Sequence, residues 1–347
     1  MSKMTTTGEF TRQEIFSQPE AWTAALAEIH NQADSLRRLY HEGNYEHVLF
    51  TGCGSTYYLS LAAAALLQEE MGVYARAMPA SEIWLYPRSA YLPNKRTLLV
   101  AVSRSGETTE TVRAVEAFKK HAMGDVLTLS CYPGRDLASA GKLNLLLTSG
   151  QEQSVAQTRA FSVLYLATIA VIALWKGDEA LLKALDALPP LGRRLLTEYE
   201  ALAQQLGRDP NIERFYFLGS GPRYGLASEL SLKMKEMSLS HSEPFSFMEF
   251  RHGPQSMVNA NTLIVGLRAD GNRAQENAVL EEMRGRGAQI LCMDEADADV
   301  TFESKLSQSA RSVLYLPVGQ MMGFEHSLMR GLNPDRPHNL EAVVKLG

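Results

Sequence analysis

The chain has 347 residues, 45% of them hydrophobic and 21% charged, and 39 acidic against 34 basic residues give a formal net charge of −5. This length predicts about two domains, and the acidic balance offers no basic surface for nucleic acid or an anionic membrane. Three cysteines (Cys53, Cys131, Cys292) without a Cys-x-x-Cys pair indicate neither a disulfide framework nor a zinc site. Because the segment Met1–Phe10 is polar and unlike a secretory signal, we expect a cytoplasmic globular protein.

The first predicted element is an amphipathic helix that begins near Ser17 and Pro19. Its apolar face consists of Trp22, Leu26, Ile29, Leu36 and Leu39. Further along, the longest apolar run covers Ala160–Trp175 and falls short of the roughly 20 residues that span a bilayer. We therefore predict a buried helix there rather than a membrane segment.

The chain contains two copies of one pattern. An apolar run ending in Gly-x-Gly occurs at His47–Gly54 and again at Arg214–Gly221. Three further segments recur at a nearly constant separation: Thr97–Val102 with Thr262–Leu267, Asp125–Leu129 with Ala288–Cys292, and, more loosely, Leu143–Thr148 with Ser312–Pro317. Such near-constant offsets indicate an internal duplication.

Each copy predicts an α/β fold. The strands are short apolar runs without polar alternation, as in strands buried on both faces. Segments with helical spacing lie between them, such as Glu107–His121 and Ala274–Arg286. Strands that alternate with helices pair in parallel through right-handed crossovers. Each copy is therefore predicted to be a doubly wound parallel sheet flanked by helices, a flavodoxin-like α/β/α sandwich.

The boundary between the copies is predicted at Pro189-Pro190, which ends the preceding helix. A second leader helix follows, with the apolar face Leu191, Leu195, Tyr199, Leu202 and Leu206. The predicted organisation is an N-terminal segment with a leader helix (1–45), a first domain (46–188), a second domain (189–333) and a C-terminal tail (334–347).

The copies differ after the second predicted strand, at the sheet edge where doubly wound folds bind ligands. The first copy has the hydroxyl-rich segment Ser103-Arg-Ser-Gly-Glu-Thr-Thr-Glu110 before a helix. Backbone N–H groups at a helix N-terminus and small hydroxyls suit a phosphate, although the same residues could form a capping box. The second copy has Arg268–Ala274 there, without the hydroxyls and with the acidic Asp270.

The Gly-x-Gly turns do not predict a dinucleotide site. Both Gly52-x-Gly54 and Gly219-x-Gly221 have a tyrosine at the position of the third glycine that brings helix and strand close together. We therefore predict no nicotinamide cofactor.

Side chains able to move protons are concentrated in the second copy. Glu229, Lys233 and Glu236 share one helical face, for which the alternative reading is a solvated surface with an ion pair. The stretch His241–Pro254 follows, and the alternative for His252 is a buried structural histidine. A metal site built from His241, Glu243, Glu249 and His252 matches no standard ligand spacing.

Six motifs in a fixed order carry a resemblance that covers nearly the whole chain. They are Gly52-Cys-Gly-Ser-Thr56, Ser103-Arg-Ser-Gly-Glu-Thr108, Val155-Ala-Gln-Thr-Arg-Ala-Phe161, Leu232-Lys-Met-Lys-Glu236, Glu249-Phe-Arg-His-Gly-Pro254 and Asp335-Arg-Pro-His-Asn-Leu340. The set resembles the sugar isomerase (SIS) family, in particular the isomerase half of the glucosamine-6-phosphate synthases. The resemblance implies two tandem SIS domains, a phosphorylated sugar as ligand, and no metal or organic cofactor.

The resemblance also implies roles for individual residues. Glu236 matches the acid–base carboxylate, with Lys233 one turn before it. His252 matches the histidine that opens the sugar ring and reaches the site from the other subunit, which implies a homodimer. The residues implied to bind the substrate are Cys53, Ser55, Thr56, Ser103, Arg104, Ser105, Thr108, Val155 and Gln157.

Two departures from the synthase pattern shape the functional prediction. The first predicted strand begins close to the start of the chain, so we expect no glutaminase domain and no glutamine hydrolysis in cis. The synthases have a lysine two residues after Asn339-Leu340, where this chain has Ala342 after Glu341, and Glu341 could bind an amine instead. The next lysine is Lys345, about 10 Å further along an extended chain.

The sequence therefore predicts a phosphosugar isomerase or deaminase that acts on an amino-sugar phosphate or a related sugar–amine adduct. One carboxylate would move a proton between C1 and C2, and the phosphate contacts would orient the substrate. The alternative is a non-catalytic sugar-phosphate sensor, because SIS domains also serve in regulators.

Overall fold

The computed structural model describes residues 7–344. Contacts divide the chain into two compact units, each built around one sheet. The first-sheet unit comprises Gln18–Glu152, Arg159–Pro189 and the tail from Glu341. The second-sheet unit comprises the segment up to Ser17, Gln153–Thr158 and Pro190–Leu340. The first-sheet unit ends at Pro189, and the second-sheet unit continues from Pro190. The segment Gln153–Thr158 belongs to the second-sheet unit, although it lies inside the first predicted domain.

Within residues 7–344, ten strands form two sheets of five. The first sheet has the order β2-β1-β3-β4-β5 and contains β1 (His47–Gly52), β2 (Ala75–Pro79), β3 (Thr97–Ser103), β4 (Gly124–Ser130) and β5 (Leu143–Leu146). The second has the order β10-β9-β8-β6-β7 and contains β6 (Arg214–Gly219), β7 (His241–Phe245), β8 (Thr262–Leu267), β9 (Gln289–Asp294) and β10 (Val300–Thr301). The strand pairs are parallel, and both sheets have the same connectivity. The predicted doubly wound, flavodoxin-like fold is confirmed.

Helices connect and flank the strands. In chain order they are α1 (Glu9–Phe16), α2 (Gln18–His30), α3 (Ala33–Gly43), α4 (Ser55–Met71), α5 (Ala80–Leu85), α6 (Pro87–Ala90), α7 (Thr109–His121), α8 (Arg159–Lys176), α9 (Glu179–Leu185), α10 (Leu188–Glu198), α11 (Glu200–Gly207), α12 (Arg223–Ser238), α13 (Phe247–Phe250), α14 (Arg273–Gly285), α15 (Gln308–Arg311) and α16 (Leu316–Met329). Short 3₁₀ turns occupy Asp136–Ser139, Thr148–Gly150, Pro254–Met257 and Ser312–Tyr315.

The central strands show why the apolar runs form strands. Every residue of β3 and β8 is buried, because each strand pairs on both sides and is covered on both faces. Each unit has a hydrophobic core in which side chains of the sheet pack against side chains of the helices. Leu99 belongs to this core in the first-sheet unit and Ile264 in the second-sheet unit. Strands buried in this way contain few polar residues, which is the pattern that made them visible in the sequence.

Three predicted elements differ from the structure. Each predicted leader helix is broken in two: α2 and α3 are separated by the turn at Asn31 and Gln32, and α10 and α11 by Tyr199. The expected strand at Ser312–Pro317 is wrong, because this segment is a 3₁₀ turn that leads into α16. A short buried apolar run in a helix has no periodicity that separates it from a buried strand.

The apolar run at Ala160–Trp175 forms a buried helix, as predicted. It lies in α8, which is long and apolar enough to cross a membrane by length and composition, but 89% of that helix is buried within the protein. All 16 side chains from Ala160 to Trp175 are buried. The helix is the core helix of the first-sheet unit.

The Gly-x-Gly turns serve close packing of strand and helix. A Cβ on Gly52 would lie 2.4 Å from Thr56 Oγ1, and one on Gly219 would lie 2.5 Å from the carbonyl oxygen of Arg223. Gly54 and Gly221 adopt φ of +54° and +58°, a left-handed conformation that favours glycine. The glycines therefore form the same tight turn in both copies.

Candidate functional site

Three hydroxyl groups of the first-sheet unit converge after β3. The oxygens of Ser103, Ser105 and Thr108 lie within 3.3–3.5 Å of one another. The backbone N–H of Gly106 donates to Ser103 Oγ at 3.2 Å, and that of Glu107 donates to Ser105 Oγ at 3.3 Å. We call these three side chains the hydroxyl cluster; the oxygens of Ser103 and Ser105 accept these N–H groups, and the hydroxyls can donate to an anion.

The hydroxyl cluster is not a helix cap. Helix α7 begins at Thr109, and its N-cap residue Thr108 makes no side-chain hydrogen bond to the helix. The N–H of Thr109 instead donates to the carbonyl oxygen of Val344 at 3.3 Å. Gly106, at φ +71°, turns the chain between strand and helix. Ser103 and Ser105 thus accept from N–H groups in the turn before α7, and none of the hydroxyls caps the helix at Thr108.

Arg104 of the same loop is held by a buried partner. Its Nη1 lies 3.2 Å from Glu152 Oε2, and the side chain of Glu152 is completely buried. Its Nη2 donates to the carbonyl oxygen of Ala342 at 3.2 Å. Arg104 thus ties the C-terminal tail to the loop, and its role in substrate binding stays a prediction. Glu152 was missed in the sequence because it stands in a polar stretch without a motif of its own.

The predicted residues near β1 surround the tight turn. Thr56 Oγ1 accepts from the N–H of Cys53 at 2.9 Å and donates to its carbonyl at 3.0 Å. Burial raises the pKa of the Cys53 thiol to about 11, so it stays protonated at neutral pH. Ser55 begins α4 and is buried. The contact of Cys53, Ser55 and Thr56 with a sugar stays a prediction.

A buried lysine joins two carboxylates in α12 of the second-sheet unit. Lys233 Nζ lies 3.4 Å from Glu229 Oε1 and also forms an ion pair with Glu236. Lys233 and Glu229 are completely buried, whereas the Glu236 side chain is 21% exposed. The reading of this helical face as a solvated surface is therefore wrong. Glu236 is the one carboxylate of this cluster that reaches solvent.

The candidate histidine stands on an exposed turn. His252 follows α13, and Gly253 after it has φ +125°. Because His252 is exposed, the alternative of a buried structural histidine is wrong. Across residues 7–344 no group of three or more His, Cys, Asp or Glu side chains is arranged to hold a metal ion. The alternative of a metal site at His241–His252 therefore finds no support.

The segment with Val155 and Gln157 is fixed within the second-sheet unit. The N–H of Val155 donates to the carbonyl oxygen of Asp335 at 3.1 Å. The Asp335 carboxylate accepts from both the N–H and the hydroxyl of Thr11, each at 2.7 Å. The buried Gln157 Oε1 finds no hydrogen-bond partner in the described part of the chain, which leaves an acceptor for a ligand.

The tail is described only in part. Glu341 is exposed, and Ala342 occupies the place of the expected lysine. Lys345 lies outside the described residues. The proposed contact of Glu341 with an amine stays a prediction.

In the second copy, the loop after β8 corresponds to the loop that carries the hydroxyl cluster in the first. Its two arginines are paired with a carboxylate. Arg268 Nε donates to Asp294 Oδ2 at 2.6 Å, and Arg273 Nε donates to the same oxygen at 2.8 Å. These two bonds hold the pKa of the Asp294 carboxyl below its ordinary value against the effect of burial. The copies therefore differ in chemistry as well as in sequence at equivalent sheet edges.

The chain matches a family model and curated relatives over most of its length. The SIS domain model matches residues 44–174 and 211–324. Glutamine–fructose-6-phosphate aminotransferase (isomerizing) of Methanothermobacter thermautotrophicus is 27% identical over 96% of this chain and 57% of its own length. The Shewanella oneidensis protein of the same name is 28% identical over 96% and 58%. The chain thus spans less than two thirds of these relatives.

Solved structures match over nearly their full length. Glucosamine-6-phosphate deaminase of Thermotoga maritima is 26% identical, with a TM-score of 0.82 over 97% of this chain and 99% of that chain. Tagatose-6-phosphate ketose/aldose isomerase of Escherichia coli has a TM-score of 0.85 at 22% identity and covers 94% of this chain, which shows the shared fold. The two matches to the SIS domain model and the two parallel sheets define an α/β protein of the sugar isomerase type. The chain belongs to the SIS domain family.

Proposed function

We propose that the protein is a phosphosugar deaminase or isomerase that acts on an amino-sugar 6-phosphate or a related sugar–amine adduct. The observation that carries the proposal is the ion-paired Glu236, partly open to solvent beside the fully buried Lys233. The full-length similarity to a glucosamine-6-phosphate deaminase supports the same reaction class. The proposal includes a cytoplasmic homodimer in which His252 serves the partner's site, as the family resemblance implies.

The hydroxyl cluster supplies the phosphate contacts in this proposal. Ser103, Ser105 and Thr108 present three hydroxyl groups within 3.5 Å of one another, so one phosphate group could contact all three. Contacts to a phosphate remote from the reacting carbons orient the sugar and leave the chemistry to other residues. The unpartnered Gln157 Oε1 is the proposed acceptor for a sugar hydroxyl or amine.

The proton transfer is assigned to Glu236. After His252 assists ring opening, the Glu236 carboxylate removes the proton from C2 of the open-chain amino sugar and returns it to C1. The product is a ketose 2-imine, which water hydrolyses to the ketose phosphate and ammonia. Lys233 holds the carboxylate in position through its ion pair. The sequence Glu341-Ala342, in place of the expected lysine, favours release of an amine over covalent capture of a ketose.

The test is ammonia release from glucosamine 6-phosphate by the wild type and by Glu236→Gln. Loss of the proton shuttle should lower kcat by about 10²- to 10⁴-fold. The matched control is Glu281→Gln, which makes the same change at an exposed ion pair on α14 and should keep full turnover. Full turnover by Glu236→Gln would exclude the proposed role.

A sugar-phosphate sensor is the second candidate. The specific observation in its favour is that the hydroxyl cluster belongs to the first-sheet unit and Glu236 to the second-sheet unit, so the proposed phosphate contacts do not include Glu236. Thermal stabilisation of the wild type by fructose 6-phosphate and glucosamine 6-phosphate, with no turnover of either or of a sugar–amine adduct, would favour the sensor over the enzyme.

A further inference from the structure

A cavity of about 280 Å³ opens at the edge of the first sheet opposite the hydroxyl cluster. It is lined by His47 and Thr97, the first residues of β1 and β3. Strand β3 runs from Thr97 to Ser103, so six residue steps of about 3.3 Å place the two ends roughly 20 Å apart. The cavity is therefore separate from the proposed phosphate site, although one strand reaches both.

The base of the cavity is apolar. Val48, Leu49 and Ala90 line it and are buried side chains of the core. The rings of His47 and Tyr74 stand beside this base with centroids 5.0 Å apart. A flat apolar group of a ligand would find both a hydrophobic base and an aromatic wall here.

The rim of the cavity is cationic and has no acid to balance it. Arg76 and Arg88 both line the cavity, and its lining contains neither aspartate nor glutamate. Arg76 Nη1 donates to the carbonyl oxygen of Ser89 at 3.4 Å, which positions the guanidinium without neutralising it. Among residues 7–344, neither arginine forms an ion pair with a carboxylate. Both arginine side chains are exposed, so they are open to a ligand that enters the cavity from solvent.

Tyr91 supplies an unsatisfied polar group in the same wall. Its side chain is 7% exposed and lines the cavity, and its ring packs edge-on against Phe118 with centroids 5.3 Å apart. The phenol oxygen is buried and meets no hydrogen-bond partner within the described range of the chain. A buried hydroxyl without a partner is unfavourable, and because this oxygen is closed to solvent it meets a ligand only if the ring turns towards the cavity.

We propose that this cavity binds a small organic anion with one flat apolar ring and one carboxylate or phosphate group. The ring would lie on the apolar base, and the acidic group would contact Arg76 and Arg88, whose planar guanidinium groups suit bidentate contacts to such anions. The volume is near the lower limit of ligand pockets, so it fits a single-ring molecule and not a nucleotide.

The test is calorimetric titration of the full chain with phenyl phosphate and benzoate, and with the neutral probe benzyl alcohol. A ligand of this size should bind with a Kd on the order of 1 mM or tighter. Both anions should bind at least about tenfold more tightly than benzyl alcohol, because the two arginines act only on the charged group. No binding, or equal binding of the neutral probe, would overturn the proposal.

Variants assign the binding to the cavity. The double substitution Arg76→Gln and Arg88→Gln should weaken both anions by at least about tenfold. The matched control Lys119→Gln with Lys120→Gln removes two exposed charges outside the cavity and should leave both Kd values unchanged. Ser103→Ala with Ser105→Ala should leave benzoate binding intact, because benzoate carries no phosphate for the hydroxyl cluster. If that variant abolishes binding while the arginine variant preserves it, the anions occupy the hydroxyl cluster and the cavity proposal fails.

Discussion

Lys233 is a predicted site residue whose charged side chain is completely buried. Its ammonium is completely buried and lies beside the equally buried carboxylate of Glu229 and the partly exposed carboxylate of Glu236. A buried charge is tolerated only when it is paired, and removing one partner leaves the other uncompensated. Lys233 is therefore expected to stabilise the fold as well as to position Glu236.

We predict that Lys233→Met destabilises the protein by about 3 kcal/mol, because Glu229 then stays buried without its cation. The double variant with Glu229→Gln should recover much of this loss, since no completely buried charge is then left unpaired and Glu236 reaches solvent. The measurement is the free energy of unfolding in urea for both variants and the wild type. A double variant less stable than Lys233→Met would contradict this account of the pair.

A second residue-scale prediction concerns pH. Burial lowers the pKa of His326 from its ordinary value, and the nearby charge of Arg330 adds to this effect, whereas the bond to Gly207 opposes it. Since the carbonyl oxygen of Gly207 only accepts, Nδ1 of His326, 2.8 Å away, carries the proton of the neutral ring. The unfolded chain therefore binds a proton more readily than the native protein below about pH 6.5.

The stability contributed at His326 is thus retained above pH 6.5 and lost as the pH falls below it towards the lowered pKa of the folded state. Unfolding free energies measured in urea at pH 7.5 and 5.5 should show a smaller loss for His326→Gln than for the wild type. Equal losses in the two proteins would show that this histidine does not contribute to the pH dependence.

The turn between β1 and α4 shows the role of a single glycine in joining two elements. An added Cβ at Gly52 would lie 2.4 Å from Thr56 Oγ1 and 2.7 Å from the backbone carbon of Thr56. The second contact is to backbone, so it cannot be relieved by rotating a side chain. The helix would have to move away from the strand.

We predict that Gly52→Ala destabilises the protein by about 2 kcal/mol through this overlap. The matched control is Gly285→Ala in α14, where the added methyl group meets no atom within 4 Å and the stability should stay within about 0.5 kcal/mol of the wild type. Thermal and urea unfolding measure both. A Gly52→Ala protein as stable as the control would mean that the turn relaxes at no cost.

Three of the four edge strands in residues 7–344, β2, β7 and β10, are elements that the sequence did not reveal. β2 has the sequence Ala-Arg-Ala-Met-Pro and β7 has His-Ser-Glu-Pro-Phe, and both pair with only one neighbour. Edge strands are partly exposed and tolerate proline and charged residues, so they lack the apolar run of central strands. Their positions were decided by pairing with β1 and β6 in the folded protein.

At the scale of the whole molecule, the proposal places His252 in the partner's site. If each site combines Glu236 of one subunit with His252 of the other, a mixed dimer of Glu236→Gln and His252→Asn contains one intact site. Mixing the two inactive variants and allowing subunit exchange should therefore restore about a quarter of wild-type deaminase activity. If both residues of a site belong to the same chain, the mixture stays inactive.

The sequence by itself determined the duplication, the central strands and the helices next to them, because buried parallel strands require apolar runs that recur in both copies. α7 and α14 begin within two residues of their predicted starts. The motifs also indicated the family, since their order and spacing persist where overall identity is low.

Tertiary structure alone decided the surroundings of the charged residues. The sequence left the Glu229–Lys233–Glu236 face open between a solvated surface and a site, and only packing showed that Lys233 is buried. It gave no sign that Glu152 pairs with Arg104, or that Arg76 and Arg88 meet at one cavity, because these residues lie far apart in the chain or follow no motif. Burial and charge pairing depend on which elements pack together, and local sequence patterns do not record that.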